Sequence, residues 1–326
     1  MVLRRQLSFA LTALLLFVLV APPARAQDWP SKPVRIVIPF GPGGTSDRFG
    51  RLLAAELSKS LKQQFYVENK PGAAGATGSA EVARAAPDGY TLVIAGMGPN
   101  LTGPAMNPRI GYDPIAGFTH IAMIAGDSTL FVVNPSLGVR TLADFVKFAK
   151  SGAPISCGSS GVGTMGHLSL EQFRREAAIM NLTHVPYRGG GPLAIDLLGN
   201  HVSTAFIAAA SGIEQVRAGR VLPLAVTSSE RIGTLKEVPT FVELGYRDVE
   251  STTWGWLSGP TNMPTDIVTK LNAEVRRIVN SPQMQQHFRN ESMLTRDMSS
   301  SELTAFLTQE LRRWTTLVEQ AGLRQQ

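Results

Sequence analysis

Twice along this chain a short apolar run ends in a glycine-rich, hydroxyl-bearing loop that opens onto a helical stripe. Few folds accommodate that device. The first copy is Val34-Arg35-Ile36-Val37-Ile38, then Gly41-Pro42-Gly43-Gly44-Thr45-Ser46-Asp47, then Phe49, Leu52, Leu53, Leu57 and Leu61 on one helical face. The second is Ile155-Ser156-Cys157, then Gly158-Ser159-Ser160-Gly161-Val162-Gly163-Thr164, with a helix predicted over about 165–178. Further strand-like runs fall at 65–67, 90–95, 130–133, 183–186, 202–207 and 222–227, with helices at 141–150 and near 192–198. Strands alternating with helices across short connections predict an α/β class with a parallel, doubly wound sheet. The last third reads as helical. Ile267, Val268, Leu271, Val275, Ile278 and Val279 form one stripe, and a Ser299/Glu302 capping box precedes Leu303, Phe306, Leu307, Leu311, Trp314, Leu317 and Val318.

Residues 1–26 read as an export signal. Arg4 and Arg5 are followed by the apolar run 7–20 and by Ala24-Arg25-Ala26, a small-x-small cleavage pattern, so cleavage is expected after Ala26 and the periplasm is the expected destination. Fourteen helical residues reach only about 21 Å, short of a bilayer core of about 30 Å. No cysteine follows this run, which excludes lipid anchoring there. The segment also accounts for half of the +6 net charge, through Arg4, Arg5 and Arg25 with no acid. No basic block is left elsewhere, so a nucleic-acid partner is not expected. At 326 residues, 44% of them hydrophobic and 17% charged, there is material for two ordinary domains with real cores.

Most catalytic signatures are missing. There is no G-x-S-x-G or S-x-x-K, and histidines 120, 167, 184, 201 and 287 show neither H-x-H nor H-E-x-x-H spacing, so no metal site is expected. The lone Cys157 ends an apolar strand and reads as a small buried hydrophobe. Gly161-Val162-Gly163-Thr164-Met165-Gly166 satisfies G-x-G-x-x-G, but Val185-Pro186-Tyr187-Arg188 stands where a ribose-binding acid belongs. Arg188 would suit a 2′-phosphate, yet export argues against a diffusible nicotinamide, and no cofactor is expected.

The two loops suit small anions. Helix N-termini expose unpaired N–H groups and a partial positive charge, and glycine lets a ligand approach the backbone. The first loop offers Gly43, Gly44, Thr45 and Ser46; the second offers Ser159, Ser160, Gly161, Gly163 and Thr164. Neither has a P-loop lysine, so a carboxylate fits better than a triphosphate. Asp47 is expected to complement the helix dipole and order its loop, and His167 to be structural or to face the cleft as a neutral group.

These residues, with Asp28-Trp29-Pro30-Ser31-Lys32-Pro33, Val67-Glu68-Asn69-Lys70-Pro71-Gly72, Ala86-Pro87-Asp88-Gly89-Tyr90, Tyr112-Asp113-Pro114, Val133-Asn134-Pro135-Ser136, His184-Val185-Pro186-Tyr187 and Val238-Pro239-Thr240, run in order along nearly the whole mature chain. Together they resemble the Bug family of periplasmic receptors for tripartite tricarboxylate transporters. The resemblance implies a two-domain Venus-flytrap fold, with domain 1 at 27–125 and 253–326 and domain 2 at 126–252. It implies chain crossings near 120–130 and 245–257, a carboxylate held between the two loops, delivery to a membrane permease, a monomer, and no catalysis. An exported enzyme of the same fold, or a sensor for a membrane kinase, are the competing readings.

Two departures from the family pattern shape the expected ligand. Many relatives carry an acid and an amide where this chain has Ile207 and Ala208, followed by Ala209 and Ala210, which removes a partner for a ligand amine. Arg188 replaces a common lysine and would clamp a carboxylate with its planar fork. With Met97, Met165 and Phe206 at strand ends or helix starts, the expected ligand is an amine-free acid with an apolar or aromatic body.

Overall fold

The computed structural model describes residues 28–42 and 45–324. The export segment and the loop glycines Gly43 and Gly44 lie outside the described residues. The strands are β1 Val34–Ile38, β2 Phe65–Asn69, β3 Thr91–Gly96, β4 Phe118–Val133, β5 Ile155–Ser159, β6 Leu182–Pro186, β7 Thr204–Ala208, β8 Leu222–Val226 and β9 Thr252–Pro260. The helices are α1 Thr45–Leu61, α2 Ala76–Ala83, α3 Gly103–Met106, α4 Leu142–Ala149, α5 Met165–Glu176, α6 Gly190–Leu198, α7 Ala209–Arg217, α8 Thr265–Val279, α9 Pro282–Asn290 and α10 Ser300–Gln320.

The strands hydrogen-bond in the order β2-β1-β3-β9-β4-β7-β5-β6, with β8 also on β4. The parallel pairs are β1 with β2 and β3, and β5 with β6 and β7. The mostly parallel sheets expected of each half are present, and the antiparallel part lies in the middle. Strand β9 runs antiparallel to β3 and β4, and β4 runs antiparallel to β7 and β8. The 16-residue β4 is the link: residues 118–128 pair with β9, and residues 129–133 continue into the second sheet against β7. Its sequence, FTHIAMIAGDSTLFVV, is buried at every position but Thr119. A strand buried on both faces shows no two-residue alternation, which is why only its last four residues were legible beforehand.

Each half is a sheet covered on both sides. In the first, Ile36, Ile38, Leu53, Leu57, Leu92, Ile94, Leu271 and Val275 fill one side. Val37, Val93, Trp256, Leu303, Leu307 and Trp314 fill the other. In the second, Phe131, Phe145, Phe173, Phe206 and Phe241 form an aromatic cluster, with Phe131 and Phe145 centroids 4.9 Å apart, and Leu130, Val132, Leu193 and Ala205 pack the reverse face. Cys157 lies inside that aromatic layer; burial pushes its thiol up to about 12, so it packs as a hydrophobe. The helix-start signals at Thr141 and Ser299 are realised as reciprocal capping boxes with Asp144 and Glu302. Among the described residues, no helix is long and apolar enough to cross a membrane.

Candidate functional site

Between the halves lies a cleft of about 1020 Å³. Both glycine-rich loops reach it. From the first half it is lined by Phe40, Ser46, Asp47, Phe49, Ala74, Ile94 and Met97, and by the turn carrying Thr102, Met106, Asn107 and Arg109. From the second come Ser160, Val162, Gly163, Thr164, Met165, Gly166, Phe206 and Ala208. Its floor is the crossing itself, with Ile124, Ala125, Asp127 and Thr129 of β4 beside Thr253, Trp254 and Gly255 of β9.

The second loop is held by neutral imidazoles. His167 and His184 stack with centroids 3.9 Å apart and ring planes 12° apart. Nδ1 of His167 accepts the Gly163 N–H at 3.1 Å, and Nε2 of His184 sits 2.7 Å from Ser159 Oγ. That hydroxyl also receives the Gly161 N–H at 3.3 Å and lies 3.1 Å from the Gly161 carbonyl. Burial pushes both histidines down to about 4; His167 is further lowered by its neighbours His184 and Arg174, and His184 by Arg174. The rings are therefore uncharged at neutral pH, which leaves His167 Nδ1 free to act as an acceptor.

This bonding alters the roles expected of the loop. The amides of Gly161 and Gly163 are spent within the protein, and Ser159, Gly161 and His167 support the loop from behind without lining the cleft. What faces the cleft is the α5 N-terminus. Thr164 occupies the N-cap in an extended conformation, but its hydroxyl donates to the Gly161 carbonyl at 2.7 Å and not to the helix. The first-turn N–H groups at Met165 and Gly166 thus have no side-chain cap, and both residues line the cleft. Gly166 is required by packing: a Cβ there would sit 2.9 Å from the Phe206 carbonyl oxygen. The sequence reading passed over it, though it is the last glycine of the G-x-G-x-x-G run.

The first loop is held by charge. Asp47 accepts from Asn69 Nδ2 at 2.9 Å and from Arg51 at 3.0 and 3.1 Å; Arg51 also donates to Asn69 Oδ1 at 2.9 Å, and Asn69 reaches the Phe40 carbonyl at 3.0 Å. Asp47 is thereby occupied in ordering the loop, as expected, while lining the cleft beside Ser46. Thr45 opens α1. Across the cleft, Thr102 Oγ1 lies 3.3 Å from the Gly163 carbonyl, so the two halves already touch at the second loop.

Arg188 and Ile207 are also absent from the lining. Arg188 is exposed; its neighbours Tyr187 and Gly189 brace the loop through N–H bonds to the Ser159 and Ser160 carbonyls at 2.9 and 3.2 Å. Ile207 is one residue out of phase. On strand β7 alternate side chains face opposite sides, so Phe206 and Ala208 meet the cleft while Ile207 turns back onto Gly212 and the second core. Conversely Asp127 was missed, although it is the only acid in β4. It is 8% exposed, and its Oδ1 accepts the Ala210 N–H at 3.3 Å. Burial pushes it up to about 7. An acid therefore does stand beside the Ala208–Ala210 segment, on the neighbouring strand.

Residues 49–323 match the family model described as tripartite tricarboxylate transporter family receptor. The chain belongs to that family. It is 29% identical over 306 residues to protein BugT of Bordetella pertussis, covering 93% of each chain. Among solved structures, R. palustris Rpa4515 with adipate superposes with a TM-score of 0.81 at 33% identity, over 90% of this chain and 99% of that one. MatC (Rpa3494) from Rhodopseudomonas palustris with bound malate gives 0.76 at 28%, over 89% and 100%. The expected Bug-type receptor and its two-domain periplasmic-binding-protein fold are thus established, and the family is one of solute-binding receptors for tripartite transporters.

Proposed function

We propose that this receptor captures a small organic carboxylate in the cleft and hands it to a membrane permease of the tripartite type without altering it. The observation that carries this reading is the uncapped N-terminus of α5, with Ser160 and Thr164 beside it, opening onto a cleft walled largely by Met97, Met106, Ile94, Phe49 and Trp254. A carboxylate oxygen satisfies the free N–H groups and complements the helix dipole, and the apolar wall takes the body of the acid. Adipate and malate in the two solved relatives are amine-free acids, in keeping with the ligand class proposed here. The proposed division is domain 1 at 27–125 and 253–326 and domain 2 at 126–252, with closure about the β4 and β9 crossing. Export with cleavage after Ala26, residence in the periplasm and a monomeric state complete the proposal.

A thermal-shift screen tests it, using aliphatic diacids, hydroxy acids, aromatic acids and amino acids. An acid at one hundred times its Kd stabilises the fold by about 2.7 kcal/mol. Recovery of the acid unchanged after incubation separates a receptor from an enzyme. A screen in which no carboxylate raises the Tm contradicts the proposal.

A further inference from the structure

The floor of the cleft holds a group that the carboxylate-binding loops do not explain. Asp127 is more than nine-tenths buried, lines the cleft, and makes no ion pair among the described residues. The charged groups facing it are Arg48 of α1 and Glu291 just after α9, and these are committed to each other at 3.2 Å. Asp47, also on α1, is neutralised by Arg51. It accepts backbone N–H bonds from Ala210 of α7 and from Ser128 of its own strand, both of which favour the ionised form, and its partner across β9 is Thr253. Apart from Thr129 and Gly255, the surrounding floor is apolar, with Ile94, Ile124, Ala125, Trp254 and Met293. The carboxylate loses its hydration with no ion pair in return, and this desolvation outweighs the two N–H bonds and the distant pull of Arg48, so the neutral acid is favoured. The raised titration point, about 7, agrees with that geometry.

A neutral acid carries one O–H. When closure expels water from the cleft, that donor needs an acceptor, and leaving it unpaired costs about 1–3 kcal/mol. A carboxylate oxygen gives the stronger, charge-assisted bond. Resting on the carboxylate-receptor reading above, we propose that Asp127 is the specificity-determining residue of the cleft. It meets the ligand as a carboxylic acid and donates to a second carboxylate, so the receptor takes up a diacid together with one proton from solvent. The first carboxylate sits at the α5 N-terminus and the second at the floor, with the apolar wall between them. An ammonium-bearing acid is disfavoured because it would require the ionised form of a group that burial holds neutral and that makes no ion pair among the described residues.

The test is calorimetry with adipate, wild type against Asp127→Asn, from pH 6 to 8.5, in buffers of different ionisation enthalpy. Adipate is predominantly the dianion over this range, since carboxyls titrate at about 4 to 5, and a titration of the ligand alone corrects for the monoanion left near pH 6. Wild-type Kd should rise at least tenfold across the range, with net proton uptake on binding. Asp127→Asn should bind within a few-fold of wild type at pH 6, show no pH slope and take up no proton. Wild-type binding that is flat with pH overturns this inference while leaving the receptor reading intact. Glutamate binding tighter than adipate, and tightening as pH rises, overturns it in favour of an ionised Asp127 paired with an ammonium. Absence of binding by any carboxylate contradicts both.

Discussion

The two glycine-rich loops look alike in sequence but are held in place by opposite means. The first is braced by a charged network, Asp47 with Arg51 and Asn69. The second is braced by two stacked, uncharged imidazoles behind it. The first brace reaches the surface, since the Arg51 side chain is 53% exposed; in the second, His167 is buried and His184 half-buried. Two consequences follow: the first loop should tolerate loss of its brace better than the second, and the second should respond to falling pH through its imidazoles. The second loop is also the one with described free helix amides facing the cleft, so it should dominate anion binding.

The largest expected effect is at Gly166. In Gly166→Val the side chain must displace β7 backbone at Phe206 or lift α5, moving the free amides. Affinity for a bound acid should fall at least about a hundredfold, roughly 2.7 kcal/mol, as read by calorimetry, while the circular dichroism spectrum stays α/β. Binding near wild-type strength would remove the second loop from the site.

Next comes the contrast between the braces. His167→Ala leaves the part-buried Gly163 N–H without its acceptor and empties the space of a buried ring, at a cost of about 1–3 kcal/mol in stability. Asp47→Ala breaks a partly exposed network and should cost about 1 kcal/mol. Chemical denaturation of both variants checks the order; a larger loss at Asp47 would invert the comparison.

The pH response sharpens it further. The His167 and His184 values are depressed relative to unfolded histidine, so the stability they contribute is fully present above about 6.5 and is lost as pH falls through about 4. Melting temperatures should drop over that window in wild type and less steeply in a His167→Gln, His184→Gln double variant. Asp127 works in the other direction. Its value is raised, so its contribution is present below the unfolded value of about 3.8 and is lost as pH rises through about 7. Asp127→Asn should therefore melt higher than wild type at pH 8, with the gap closing toward pH 4.

The smallest effect belongs to Arg188. Exposed and outside the lining, it should change Kd by less than twofold when replaced by alanine. A tenfold loss would restore it as a carboxylate clamp.

These contrasts also mark what the sequence could convey. Strands β1 and β5 and the helices after them were legible because an apolar run, a glycine loop and a helical stripe occur in succession. Strand β9, TTWGWLSGP, and the first part of β4 were not, because burial on both faces erases alternation. In the site, residue types were legible and directions were not. Ser159 and His167 belong to the loop but point away from the cleft, and Ile207 missed it by one step of the strand period. Asp127, a lone acid between Gly126 and Ser128, carried no signal of its own, because its meaning depends on the fold that brings α7 and α1 around it.

The central claim is that the free amides of α5 receive a carboxylate in the cleft. A crystal structure of the protein with the acid that most raises its Tm tests this most directly. The account predicts a carboxylate oxygen within about 3 Å of the Met165 or Gly166 nitrogen, with the body of the acid against Met97 and Trp254. An acid bound elsewhere on the molecule, or held in the cleft with its carboxylate turned away from α5, would contradict it.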